Sequence, residues 1–484
     1  MKRRTFLLKL ALVFTGLFFI SYTALSNDKG SGPEPRAKYV FLFIGDGMGQ
    51  AQVSLTQAYL AALQDRIGFE ALSFTQFPVS GQSTTYANNR LITGSAAAGT
   101  ALATGHKTNI NRISMDPEGK EAYQSVAEKA KARGYKVGIV TSVSIDHATP
   151  AVFYAHQPDR NMYFEIGLDL ARSGFDYFAG GGFLKPEGTF EGQTVNLTDL
   201  AADYGYRLVN TPDAFNSLMP GDGKTLVFSP RVAGGASLPF AIDMGPADLT
   251  LADFTAKGIT LLSGEEGFFM MVEGGKIDWL CHANDAGATV QEVIAFDKAV
   301  EQALAFYHKH PDETLIIVTA DHETGGLSLG QTVTKYDIDF GLLKYQKSSV
   351  EQLNKIVQQF RVSKSGDDKA DFERMLKALE SDLGLHSSKY GTLLDEKDLA
   401  ELERLFRETI SGMPAGEGEY EEDEPFMDAA IRMMNHKAGL AWGTRSHTGI
   451  TVPVYAIGTG ADRFSGCIDN TDIPKIIGKL MTID

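Results

Sequence analysis

The chain has 484 residues, with 45 Lys+Arg against 61 Asp+Glu, for a formal net charge of −16. That length allows two to three average domains or one large catalytic domain carrying insertions. Hydrophobic residues at 43% supply a sizeable core and exclude a disordered chain. The acidic balance argues against a nucleic-acid-binding surface, and two cysteines, Cys281 and Cys467, exclude a disulfide framework or a Cys-rich zinc module.

Taken in order, the chain first presents an address. Lys2, Arg3 and Arg4 precede the apolar run Leu10–Ile20, and Ala24-Leu25-Ser26 offers small residues for cleavage. This pattern predicts a signal peptide over residues 1–26, cut near Ser26. A stable membrane anchor is disfavoured because a span needs roughly 20 apolar residues. Cleavage removes four positive charges and no acid, leaving −20 on a mature chain expected in the periplasm or secreted, with no membrane span.

Residues 27–37 read as a polar linker. Then Tyr39–Ile44 (YVFLFI) is a short, wholly apolar run closed by Gly45-Asp46-Gly47 and followed by a helix-like stretch from Ala51. Such a run reads as a buried parallel strand. The pattern recurs at Lys136–Val140, Phe268–Val272, Thr314–Thr319 and Val452–Ile457, with helical segments such as Ser125–Arg133 and Asp285–Tyr307 between. The expected fold class is therefore α/β, a three-layer sandwich with a mostly parallel sheet and helices on both faces. Phe190–Leu238 is Gly-rich and reads as irregular connections. Residues 332–434, with helical runs at Asp371–Leu383 and Glu396–Ile410 and the acidic tract Glu417–Glu424, read as a mostly helical insertion. The catalytic domain is then 38–331 together with 435–484, and the acidic tract is a solvated loop.

In such a sheet, loops at the carboxyl ends of strands converge on one crevice. Those positions carry Asp46, then Glu273 with Asp278 and His282, then Asp321 with His322, and late in the chain His447. Asp278 and His282 are spaced i,i+4 and share one face of a helical turn. An Asp/His set without thiolates suits Zn²⁺, and seven oxygen or nitrogen donors exceed one tetrahedral site, so at least two metals are implied. A lone strand-terminal Asp is more often a helix cap, and a lone His more often packs; their coincidence at matching strand ends reverses that reading. Ser95 follows Gly94 in a run of small residues. It reads as an ordinary N-cap or as a nucleophile at a helix N-terminus, where amide donors favour an anion.

Six segments carry a resemblance to the alkaline phosphatases, in that family's order: GDGMG (Gly45–Gly49), the GSAAAGT run around Ser95, HATPAVFYAHQPDR (His147–Arg160), VEGGKIDWLCH (Val272–His282), TADHETGG (Thr319–Gly326) and HTGITVPV (His447–Val454). The resemblance implies an exported phosphomonoesterase with two Zn²⁺ and one Mg²⁺. Asp278, His282 and His447 would hold the first zinc, and Asp46, Asp321 and His322 the second. Asp46, Thr149 and Glu273 would hold the magnesium. Ser95 matches the nucleophile that forms a phosphoserine, and Arg160 the guanidinium that clamps phosphate with a planar fork. The implied substrates are small phosphomonoesters, broadly accepted, with inorganic phosphate as product. A homodimer and a monomer both stay open.

The chain also departs from the family. Gly94 stands where Asp commonly precedes the nucleophile, so Arg160 is expected to be less restrained and phosphate to bind more weakly. His147 lies near the magnesium position where some members have Asp, and Trp279 follows Asp278 where some have Lys or His. Fewer negative charges there favour weak Mg²⁺ binding or exchange with zinc. Of the other histidines, His106 and His156 are expected to pack or hydrogen-bond, His308, His310 and His386 to lie on the surface, and His436 is undecided. Cys281 and Cys467 either pair or stay free. A phosphodiesterase or sulfatase is the second reading, against which Arg160, Thr149 and Glu273 speak. A catalytically dead phosphate- or metal-binding protein is the third, against which Ser95 and Arg160 together speak.

Overall fold

A computed structural model describes residues 35–412 and 424–484. The expected signal peptide, most of the 27–37 linker and all of the acidic tract but Glu424 lie outside the described residues.

Ten strands build the main sheet: β1 (Tyr39–Ile44), β2 (Val79–Thr84), β3 (Lys136–Thr141), β4 (Tyr177–Gly180), β5 (Arg207–Val209), β6 (Thr225–Phe228), β7 (Phe268–Glu273), β8 (Thr314–Thr319), β9 (Val452–Gly458) and β10 (Gly466–Asp469). Their order is β10-β2-β9-β8-β1-β7-β3-β4-β6-β5. Every neighbouring pair is parallel except β9 with β8 and with β2. The exception has a topological cause. The chain enters β9 from the loop carrying His447, at the end of the sheet where β1, β7 and β8 finish, so it must run back the other way.

The central strands are continuously apolar because both faces are covered. Alternate residues point to opposite sides. Val40, Leu42, Val137, Ile139, Phe269 and Met271 join one buried cluster, while Tyr39, Phe41, Phe43, Phe268, Met270 and Val272 join the other. Apart from two short helices at Leu197–Asp203 and Pro212–Asn216, the α-helices of the described residues are α1 (Gln50–Ala62), α2 (Ser95–Thr104), α3 (Val126–Ala132), a single turn α4 (Ala148–Ala151), α5 (Tyr163–Ser173), α6 (Leu251–Leu262), α7 (Lys276–His282), α8 (Ala286–Tyr307), α9 (Val350–Ser363), α10 (Asp368–Asp382), α11 (Glu396–Ser411), α12 (Pro425–Ala438) and α13 (Asp472–Met481). The first face receives α2, α3, α5 and α13, and the second receives α6 and α8. Ser125 starts α3 with a reciprocal capping box to Glu128, satisfying two orphan amides of the first turn.

Residues 190–238 depart from the irregular reading. They contain β5 and β6, which extend the sheet beyond β4, and helices Leu197–Asp203 and Pro212–Asn216. Strands of three and four residues are too short to display a period in sequence; pairing reveals them, β6 against β4 and β5 against β6. Helices α9–α12 pack around their own apolar cluster, including Leu353, Val357, Met375, Leu379, Leu402, Phe406, Phe426 and Ile431. Asp285, which caps α8, accepts from Gln346 Nε2 at 2.7 Å and from the Val350 amide at 3.0 Å, tying these helices to the sheet. Burial raises its carboxyl to about 6. Glu424 is not solvated as expected of the acidic tract; it is buried and paired with Arg361.

Cys281 is buried, Cys467 exposed, and both are free. His106 stacks on Tyr123, and His156 contacts Glu128 at 2.9 Å, as expected. His308 and His436 are exposed, while His310 and His386 are only half exposed, the former lying against Phe306. Among the described residues no helix is long and apolar enough to cross a membrane.

Candidate active site

The register of the central strands assembles the site. Ile44 lies opposite both Thr319 and Glu273, and Thr141 opposite Glu273, so β1, β8, β7 and β3 end level with one another. The residues that follow each strand end therefore share a small volume: Asp46 after β1, Asp321 and His322 after β8, Glu273 at the end of β7, and His147 and Thr149 beyond β3. Asp278 and His282 come from α7, one turn beyond β7. Gly47 has a φ of +72°, and a Cβ there would meet the Asp278 backbone and carboxylate at 2.8 Å, so the turn after β1 admits only glycine.

His447 arrives by another route. A two-residue strand, His447–Thr448, pairs antiparallel with Glu323–Thr324, setting His447 opposite Thr324. Its ring stacks on His322 with centroids 3.7 Å apart. Glu323 secures this ladder, accepting from Gln52 Nε2 and the Gly326 amide, both at 2.9 Å, and from Thr448 Oγ1. Thr324 Oγ1 donates to Asp278 Oδ1 at 2.5 Å. Sequence reasoning named neither Glu323, Thr324 nor Gln52; the first two lie inside TADHETGG, but only the fold reveals what they hold.

Three groups of donors result. Asp278, His322 and His447 form one, Asp46, Asp321 and His322 a second, and Asp46, His147 and Glu273 a third, with ligand atoms within 4.8 Å of one another in each. His282 Nε2 lies 3.3 Å from Asp278 Oδ2 and 3.1 Å from His447 Nε2, beside the first group. His322 Nε2 lies 3.5 Å from Asp46 Oδ1 and 3.3 Å from Asp321 Oδ2. Thr149 Oγ1 donates to Asp46 Oδ2 at 3.1 Å. All eight residues expected to hold metal thus meet in one place, with His147 beside them.

These donors fit divalent cations. Asp46 Oδ1, Asp278 Oδ2, Asp321 Oδ2 and Glu273 Oε1 are buried and accept no hydrogen bond among the described residues, a costly arrangement for carboxylates without a counter-charge. The imidazoles point the same way. His282 Nδ1 faces the Arg445 carbonyl at 2.5 Å and His447 Nδ1 the Thr93 carbonyl at 2.9 Å. Carbonyls only accept, so each Nδ1 carries a proton and Nε2 is the atom left to offer a lone pair to a metal. The two Nε2 atoms lie 3.1 Å apart, so a cation, either a proton or a metal ion, must sit between them.

The electrostatics of the bare side chains agree. Burial, then the charges of Asp321 and Asp278, hold Asp46 well above the ordinary carboxylate range. Burial with the Asp278 charge raises Asp321 to about 8, and burial, opposed by His147 and reinforced by Asp46, raises Glu273 to about 8. Burial pulls His282 down, but the Asp278 carboxylate more than reverses this and raises it to about 9. Asp278 itself, pushed up by burial, is carried well below its usual range by His282 and His447.

Ser95 is the first helical residue of α2, after Gly94 in extended conformation, and is fully buried. Its Oγ lies 3.4 Å from His322 Nε2. It therefore sits at the second donor group and within the first turn of a helix, where free amides and the dipole favour an anion. An open cleft of about 720 Å³ lies beside it, lined by Arg90, Leu91, Ile92, Thr93, Gly94, Ile110, Asn111, Arg160, His282, Ser446 and His447. Arg160 Nη2 donates to His147 Nε2 at 2.9 Å. The arrangement places a hydroxyl, a guanidinium and clustered cation ligands around one point, as displacement at a phosphoryl group demands.

Comparison with known proteins follows the same line. The family model described as alkaline phosphatase matches residues 37–174 and 187–483. The chain is similar to alkaline phosphatase 3 of Bacillus subtilis, 33% identical over 470 residues covering 95% of this chain and 92% of that protein. It is also similar to the cold-active alkaline phosphatase of a psychrophilic Shewanella, 28% identical with a TM-score of 0.76, over 92% of this chain and 99% of that one. A third likeness is a histidine-substituted mutant of the alkaline phosphatase from the Antarctic bacterium TAB5, with Mg bound in its M3 site. It is 25% identical with a TM-score of 0.63, over 93% of this chain and 99% of that one.

Proposed function

This chain belongs to the alkaline phosphatase family, and from that premise we propose how its own residues hydrolyse phosphate monoesters. Ser95 Oγ attacks phosphorus and becomes a phosphoserine as the ester P–O bond breaks and the alcohol departs; water then displaces Ser95 Oγ and releases inorganic phosphate. Arg160 binds two non-bridging phosphate oxygens through its planar fork. Asp278, His282 and His447 hold one zinc, Asp46, Asp321 and His322 another, and Asp46, Thr149 and Glu273 a magnesium. When bound, these ions neutralise charge on the entering and leaving oxygens and lower the pKa of the attacking hydroxyl. The observation that carries this reading is the position of Ser95 Oγ, 3.4 Å from His322 Nε2 at a helix N-terminus.

The chain's residues divide the work. The first turn of α2 orients Ser95 and receives the anion. Arg160 aligns the phosphoryl group for in-line displacement. The Thr93 and Arg445 carbonyls hold His447 and His282 in the tautomer that leaves Nε2 free to ligate. The charged-end apolar run of residues 1–26 supports export to the periplasm or beyond, and helices α9–α12 serve as an inserted subdomain. Specificity is broad, because the cleft is open.

Rates on p-nitrophenyl phosphate and on its bis ester test the reading. The monoester is expected to turn over at least about a hundredfold faster, since Arg160 serves anionic oxygens that the diester lacks; a diester preference would overturn it. Restoring a carboxylate before the nucleophile tests the clamp. A Cβ on Gly94 would meet no atom closer than His447 Cε1 at 3.8 Å, so Gly94→Asp fits. It is expected to restrain Arg160 and lower the inhibition constant of inorganic phosphate by about tenfold, the scale of one charge-assisted hydrogen bond.

A further inference from the structure

We infer that Leu91, Ile92 and Ile110 form an apolar subsite for the alcohol half of the substrate, so that among phosphate monoesters the chain favours those of alkyl and aryl alcohols, increasingly with their apolar length. The inference rests on the cleft beside Ser95 being the phosphomonoester site.

Scattered exposed apolar side chains are ordinary, but several gathered on one concave site mark a contact surface. Leu91 is 72% exposed and Ile92 49%, and both line the cleft together with Ile110, Arg160, His282 and His447. The chain bends at Leu91-Ile92, so these sequence neighbours both reach the cleft. Both also lean on the loop after His447: a Cβ on Gly449 would lie 3.3 Å from Leu91 Cγ and 3.6 Å from Ile92 Cγ1. The groups that meet phosphate thus stand beside an apolar wall. A few convergent polar groups in an otherwise apolar lining is the usual make-up of a small-molecule site.

Position and rigidity fit the alcohol half. Ser95 is fully buried, and in-line displacement sets the departing oxygen opposite its Oγ, so the alcohol points outward into the cleft. Ile92 precedes Ser95 by three residues, which span at most about 10 Å, within reach of a medium-length alkyl chain. The wall is fixed before substrate arrives. The Asn88 amide donates to the Thr108 carbonyl at 2.8 Å, Asn88 Nδ2 to Asn109 Oδ1 at 2.9 Å, and the Ile110 amide to Asn89 Oδ1 at 3.3 Å, tying the segment of Leu91 to that of Ile110. The Arg160 amide donates to the Asn111 carbonyl at 2.8 Å, so wall and clamp keep one spacing. Such a wall costs little ordering entropy on binding. Arg90, on the same rim, acts on the phosphate dianion that every substrate carries and does not rank alcohols. The open cleft excludes no alcohol, so acceptance stays broad while apolar alcohols gain.

Linear alkyl phosphates from ethyl to hexyl share one leaving-group chemistry and differ in apolar length, so the ratio of kcat/KM for hexyl over ethyl phosphate reads the wall. A fully buried methylene is worth about fourfold and one on an open cleft about twofold, so four added methylenes should give the parent a ratio of about sixteen. The double variant Leu91→Asn, Ile92→Asn should bring it to about two or below, and Leu91→Asn alone, at the more exposed position, part of the way. Leu91→Phe, with more apolar area, should raise it above the parent's. Melting temperature and sedimentation are recorded for each protein. A parent ratio near one would overturn the inference. So would a folded double variant that keeps the parent's ratio, even one whose subunits have come apart, since the two side chains would then serve a contact between copies. A ratio that falls in the asparagine proteins without rising in Leu91→Phe would overturn it as well, being the mark of a disturbed loop. In each of these cases a parent that turns over p-nitrophenyl phosphate leaves the phosphatase reading standing. A parent that turns over no monoester would overturn both.

Discussion

Replacing Ser95 with alanine is expected to lower kcat/KM for a phosphomonoester by at least about a thousandfold, the scale on which removal of a covalent nucleophile acts. The change deletes one oxygen atom, and alanine is the best helix former, so α2 keeps its first turn and the clustered acids and histidines keep their positions. The loss should therefore fall on chemistry, with folding and metal content unchanged. Two measurements check it: steady-state kinetics, and acid quenching with radiolabelled phosphate, which should label the parent at residue 95 and leave the variant unlabelled. Undiminished turnover by the alanine protein would remove the phosphoserine from the mechanism.

Stripping the metals with a chelator is expected to abolish turnover and to lower Tm on the order of 10 °C. A site filled at a thousandfold excess over its Kd contributes about 4 kcal/mol, and this one holds three donor groups. The loss should deepen as pH rises. Without metal, burial and neighbouring charges raise Asp321 and Glu273 to about 8, and Asp278 raises His282, against burial, to about 9. The unfolded chain has released the carboxyl protons well below pH 6.5 and releases the imidazole proton near it, whereas the folded chain keeps all three toward pH 8 or 9. Stability then falls with rising pH, because the native state binds more protons than the unfolded one. Burial lowers His322 and His447, which act in the opposite sense, but the little they still add above pH 6.5 is complete within about one unit and is outweighed by the three raised groups. Bound metal displaces these protons and removes the dependence. Melting curves of loaded and stripped protein at pH 6.5 and 8.5 check this: the gap between them should be wider at the higher pH. A gap that narrows would contradict the assignment of these buried acids as ligands.

The sequence by itself determined which strands lie at the centre of the sheet and which residues carry the chemistry. Tyr39–Ile44, Phe268–Glu273 and Thr314–Thr319 are apolar at every position but their ends, and a strand covered on both faces leaves that trace in any sequence. Acids and histidines directly beyond those ends were legible for the same reason, since nothing in a buried core would retain them without a charge to meet. The edge strand Arg207–Val209 and its neighbour Thr225–Phe228 were not legible; three or four residues carry no period, and partners eighteen or more positions away define them. The reversed direction of Val452–Gly458 was likewise invisible, because apolar composition is identical for parallel and antiparallel strands.

Only the tertiary structure decided how the side chains act on one another. That Glu323 and Thr448 lock His447 against His322, that two carbonyls fix the tautomers of His282 and His447, and that His147 grips Arg160 are facts of distance and direction. Residue identity sets which atoms can give or take a proton. Which of them do so depends on differences of a few tenths of an ångström between residues from thirteen to several hundred positions apart, and those are set by the register of the central parallel strands and of the antiparallel ladder that carries His447.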